Sequence, residues 1–239
     1  MNLDQIKLNK ISEDLSNLSD QPTLPLISKE ESLGIKDFCK FHHINSLFHF
    51  TSINNLESIL TYGLLPLNLL KEGSINFSLN DSKRFDSMSD SVSASLQFPC
   101  YKSLNRLREE NPNKKWVILQ LKSSILWDLN SFFYPDSAIN FSNDSRIFNN
   151  LDALKRLFTD NLLIERKNLN IPPNYPTNPS SETLIKNKIS INYIGRVWFD
   201  ITDYDTMNFF YNKYKSKVGF ALCHKYFSDR KDGFFWNEQ

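Results

Sequence analysis

The sequence predicts an α+β domain with largely antiparallel sheets flanked by helices. Strand-like runs outnumber helical ones in its second half, and hairpin-length spacings dominate over the longer crossovers that parallel strands require. Neither GxGxxG nor GxxxxGK[ST] occurs, and the six glycines are not arranged for a phosphate loop, so a doubly wound nucleotide fold fits poorly.

Along the chain, Leu3, Ile6, Ile11, Leu15 and Leu18 stand near helical spacing in a polar segment that ends at QPTLPLI. Residues 1–45 therefore read as a helical arm ahead of one domain over 46–239. Ser28 with Glu31 forms a capping-box pattern that opens a helix running to His42 and His43. INSLFHF reads as a strand, and the next helix, from Asn54 to Tyr62, puts Leu56, Ile59 and Leu60 on one face and stops at Gly63. SINFSL and SVSASLQF alternate as half-buried strands, the second ended by Pro99. WVILQL, without clear alternation, reads as an inner strand, and NLDALKRLF as a helix beyond a polar loop. LNIPPNYPTNPSS, with four prolines, is a stiff loop leading straight into strand-like ETLIKNKISINYI. GRVWFDIT then supplies a strand and DYDTMNFFYNKYK a helix.

Composition narrows the function. The net charge of +1 provides no global basic field of the kind that holds proteins on nucleic acid by charge alone. Basic residues gather only at Lys102, Arg106, Arg108, Lys114 and Lys115, a solvated helix face or a phosphate track. Cys39, Cys100 and Cys223 lack disulfide or thiolate-metal spacing, and no HExxH occurs, so the sequence predicts reduced thiols and no metal. There is no leader-like N-terminus or membrane-length apolar run, and the expected location is the cytoplasm with no membrane partner. Without G-x-S-x-G or a paired cysteine nucleophile, acyl transfer has no support.

His49, Arg84 and Glu182 remain, polar residues at strand ends. Each has an ordinary reading: a satisfied core histidine, a surface ion pair, an outward-facing carboxylate. Glu182 is the most informative, because it opens an apolar strand directly after a proline-stiffened loop, where a carboxylate is fixed in space. Such an anion suits glycosidic cleavage with positive charge developing on the sugar, and a cationic leaving group such as nicotinamide needs no acid to protonate it.

FHFTSINNLESILTYGLL, NDSKRFD followed by SVSASLQFPCYK, NPNKKWVILQLKSSILW, NYPTNPSSETLI and YFSDRKDGFFW, in that order, resemble the DarT-type ADP-ribosyltransferases, and among them the subgroup that modifies guanine in single-stranded DNA. The resemblance runs from about residue 46 to the C-terminus. It implies a single ADP-ribosyltransferase-like domain with NAD as ADP-ribose donor, acting as a toxin in a toxin–antitoxin or phage-defence system with a macrodomain-type antitoxin as partner. His49, Thr51, Asn55, Gly63 and Leu64 match NAD-binding positions, Arg84 an arginine on the NAD phosphates that is needed for turnover, and Glu182 the catalytic glutamate. Imidazole offers hydrogen bonds that Phe at position 49 would lack. On the acceptor side, Tyr101, Lys102, Arg106 and Arg108 are the expected nucleic-acid contacts. Two departures stand there, Asn178 for an acidic residue and Cys100-Tyr101-Lys102-Ser103 for Asn-Tyr-Lys-Met. The alternatives are the same chemistry on RNA, with a protein acceptor behind it, and a non-catalytic binding module of this fold.

Overall fold

A computed structural model describes residues 27–73, 75–80, 89–141, 144, 146, 148–160 and 164–237. The periodic apolar positions of residues 3–18 and Arg84 therefore lie outside the described residues. Helix α1 (Lys29–Phe41) begins where the capping pattern puts it, with the Ser28 hydroxyl accepting from the Glu31 amide at 3.1 Å, and acidic Glu30 and Glu31 opposing basic Lys40 along the helix dipole. The helix packs into the core through buried Ile35 and Cys39.

Among the described residues one seven-stranded sheet forms the centre, in the order β4-β5-β2-β1-β3-β6-β7. The strands are β1 (Ser46–Ser52), β2 (Ser91–Leu96), β3 (Trp116–Lys122), β4 (Ser131–Tyr134), β5 (Glu182–Lys186), β6 (Ile194–Phe199) and β7 (Gly219–Leu222). All neighbours are antiparallel except β6 and β7. The weak alternation of WVILQL follows from burial of β3 on both faces. Val117, Leu119 and Leu121 join the main core with Ile35, with Leu56 and Leu60 of α2 (Leu56–Tyr62), and with helices α6 (Leu151–Arg156) and α7 (Tyr204–Tyr214). Trp116 and Ile118 face a second cluster holding Leu104 and Leu107 of α4 (Tyr101–Glu110) and Phe227.

Several expected elements differ. Residues 75–79 of SINFSL are irregular, not a strand. The stretch expected as a polar loop before α6 contains a one-turn helix α5 (Ile125–Asp128) and edge strand β4, whose four residues are too few to show a period. ETLIKNKISINYI breaks after Lys186, with Asn187 at φ +63°, before β6 begins. Strand β7 and helices α3 (Leu67–Glu72) and α8 (Gly233–Asn237) add to the predicted set.

Candidate active site

The site begins where the sheet splits. Strand β1 runs along β3 for its whole length, whereas its register with β2 extends only over Leu47–Leu96 and Phe48–Ser95. From there β2 follows β5, pairing Ser91 through Ala94 with Lys186 through Thr183. The two strands diverge, and a cleft of about 520 Å³ opens between them.

His49 is the first residue of β1 past the split. Its Nδ1–H donates to the Ser93 carbonyl at 2.7 Å, spanning the gap that a backbone ladder no longer closes. A carbonyl only accepts, so the Nδ1-protonated form is selected. The Ser93 hydroxyl donates to Glu182 Oε1, and the Ala138 amide donates to Oε2 at 2.8 Å. Each carboxylate oxygen thus has a donor, and Glu182 is held half-buried at the cleft wall. Ser93 links His49 to Glu182. Its signal in the sequence was the alternation itself, which puts Ser91, Ser93 and Ser95 on one face of β2 and Val92, Ala94 and Leu96 on the other.

The opposite wall is built by side-chain amides. Asn55, 9 % exposed, accepts from the Ser78 amide (2.7 Å) and donates to the Ser78 carbonyl (2.8 Å) and the Thr51 hydroxyl (2.9 Å). Asn80 Oδ1 accepts from the Ser52 amide and the Thr51 hydroxyl, both at 3.0 Å, and its Nδ2 donates to the Phe50 carbonyl at 3.2 Å. Thr51 and Asn55 both line the cleft, and the bonds named here join them to each other and to the protein's own 78–80 segment. Gly63, at φ +86°, and Leu64 line the cleft. Leu64 exchanges two 2.9 Å bonds with Ile189, and a Cβ on Gly63 would collide with the Ile189 carbonyl.

The four residues expected on the acceptor side have different surroundings. Tyr101 is 2 % exposed, so its ring is core and offers no face to a base, a correction that follows from its position on the buried side of α4. Lys102 Nζ donates to the Trp236 carbonyl at 2.9 Å. Arg108 donates to the Phe227 carbonyl at 2.9 Å and pairs with Asp200 at 3.4 Å. Arg106 lines the cleft while pairing with Glu110 at 3.1 Å. Cys100 and Ser103 also line it, 3.3 Å apart, and burial raises the Cys100 thiol pKa. Asn178 shapes the turn before Glu182, its side chain accepting from the Ser180 amide at 2.8 Å. No three His, Cys, Asp or Glu side chains converge as a metal site among the described residues.

A family model described as DarT, ssDNA thymidine ADP-ribosyltransferase, matches residues 48–206, a span holding both His49 and Glu182. The chain belongs to the DarT family. Its fold is similar to that of Thermus sp. 2.9 DarT in complex with NAD+, at 13% identity and TM-score 0.54 over 77% of this chain and 97% of that one. The same protein in complex with ADP-ribosylated ssDNA matches at 14% identity and TM-score 0.51, over 80% and 96%. Thermosipho africanus DarTG in complex with ADP-ribose matches at 15% identity and TM-score 0.53 over 76% of this chain, which spans only 50% of the DarTG chain. No curated protein matches. The cleft at the split of the sheet holds His49 and Glu182 together, and Ser93 joins them. No helix among the described residues is long and apolar enough to cross a membrane.

Proposed function

We propose that this DarT-family chain transfers ADP-ribose from NAD to guanine in single-stranded DNA. The observation that carries the reading is the Glu182 carboxylate, held by the Ser93 hydroxyl and the Ala138 amide in the cleft that His49 enters from the other strand. The family description and the NAD+ complex of a structural neighbour support the donor, and the ssDNA complex supports the polymer. Guanine rests on the sequence resemblance, against the thymidine named in the family description.

NAD lies along the cleft with His49 on a ribose and Arg84 on the phosphates, where a planar guanidinium suits paired oxygens. The glycosidic bond to nicotinamide breaks, and the departing ring keeps the bonding pair and leaves neutral. Glu182 stabilises the cationic sugar and holds its 2′-hydroxyl. The guanine amine supplies the new C–N bond, and its proton passes to Glu182 and on to solvent. A single-stranded target avoids the unpairing cost of a duplex base. Arg106 is the one of the four predicted acceptor-side residues that lines this cleft. In the cell the same activity makes the chain a toxin that a macrodomain-type antitoxin neutralises.

Mass spectrometry of matched single-stranded DNA and RNA oligonucleotides, varied in guanine and thymine content and incubated with NAD, tests the reading. The expected product is one ADP-ribose on guanine-containing DNA, lost by several orders of magnitude in Glu182→Gln, which still binds NAD. Label on thymine or on RNA would replace the acceptor; wild-type transfer by Glu182→Gln would remove Glu182 from the site.

A further inference from the structure

The C-terminal stretch YFSDRKDGFFW has no part in the chemistry above, yet it holds the most buried charges among the described residues. Arg230 is 5 % exposed and Asp232 is fully buried. The guanidinium donates through Nε and Nη2 to the two Asp232 oxygens, both at 2.6 Å, while Nη1 and Nη2 reach the carbonyls of Pro176 and Thr177, both at 2.8 Å. Trp236 Nε1 donates to the same carboxylate at 2.9 Å.

Stability alone is a weak reason for such a pair, because apolar residues of similar volume often serve as well or better. What they cannot do is hold two consecutive carbonyls. Those carbonyls belong to the proline loop, whose next residues build the turn into Glu182. Arg166 grips the same loop from outside, donating to the Thr177 hydroxyl at 3.0 Å and to the carbonyls of Pro172 and Pro173 at 3.2 and 2.9 Å. Within the loop, the Ser181 amide and hydroxyl both bond the Asn178 carbonyl, at 3.1 and 2.7 Å. The chain from Thr177 to Glu182 is therefore anchored at its start by Arg230 and at its end by Ser93 and Ala138.

We propose that Arg230, backed by Asp232, is a positioning residue that fixes the Pro176 and Thr177 carbonyls and thereby sets the Glu182 carboxylate on its two donors. This rests on the transferase reading, in which a displacement of about 1 Å at Glu182 costs on the order of 10²-fold in rate.

The test compares wild type with Arg230→Lys, which keeps the Asp232 charge paired but gives up the planar fork, and with the double variant Arg230→Met/Asp232→Leu, which fills the space without charge. Arg230→Lys is expected to keep NAD affinity near wild type by calorimetry and to lose about 10²-fold in kcat for transfer. The double variant is expected to recover the wild-type melting temperature but not kcat. Recovery of both, or a wild-type kcat in Arg230→Lys, overturns the proposal. If wild type transfers nothing to any nucleic acid, the transferase reading fails by itself, and amide exchange in the free protein then decides. Thr177, Ser180 and Ser181 should exchange at least about tenfold faster in both variants with β3 unchanged; unchanged exchange at those three overturns the clamp.

Discussion

Ser93 does two things with one residue. Its carbonyl receives His49 across the split and its hydroxyl holds Glu182, so the histidine and the glutamate are set relative to each other through a single strand position. Ser93→Ala removes only the second contact. A hydrogen bond to a charged group contributes about 1.5–3 kcal/mol, so transfer by Ser93→Ala should fall roughly 10- to 100-fold in kcat, with NAD affinity by calorimetry little changed. Ser93→Thr, which keeps the hydroxyl, should recover most of it, and failure to do so would show that the serine matters for packing. Tyr101 is the opposite case. An aromatic beside Lys102, Arg106 and Arg108 looks like a stacking residue in sequence, but on a helix with Leu104 and Leu107 buried it occupies the same inward face.

The segment SINFSL has the alternation of a strand, and its residues 75–79 lack a ladder. Its Ser78 backbone groups bond the side-chain amide of Asn55, a side chain doing what an adjacent strand would do. Asn55→Ala leaves both Ser78 groups and the Thr51 hydroxyl without that partner. The expected loss is about 1–3 kcal/mol of unfolding free energy, read from urea titration as a lower midpoint with an unchanged slope. A change near zero would mean that water replaces the amide and that the wall stands without it. Gly63 is similarly demanding for its helix end, because its φ of +86° and the adjacent Ile189 carbonyl leave no room for a side chain. The glycine was legible as a helix stop; the carbonyl against it was not.

At the scale of the whole molecule, helix α1 contributes Ile35 and Cys39 to the main core. Ile35 is fully buried, whereas Leu33 on the same helix is 56 % exposed. Ile35→Ala should cost about 2–5 kcal/mol, and Leu33→Ala within about 0.5 kcal/mol, both by chemical denaturation. Cys39 provides an independent reading of the same contact. Burial pushes its thiol up to about 12, so thiolate is scarce near pH 8 and alkylation should report opening of this helix. Equal costs at the two positions would make α1 a peripheral arm after all.

By itself the sequence determined the order of most strands and helices, the antiparallel character of the sheet, the stiff loop ahead of Glu182, and the five stretches that carry the family resemblance. Local periodicity and turn chemistry act over a few residues, and those features need nothing more. Only the tertiary structure decided which polar groups meet. His49 and Ser93 are 44 residues apart and Ser93 and Glu182 are 89 apart, joined by strand registers that no local pattern encodes. The same holds for Arg230, whose partners Pro176 and Thr177 lie more than 50 residues earlier. In sequence its charge looks like surface, and the fold makes it interior because two carbonyls and a carboxylate converge there to receive it.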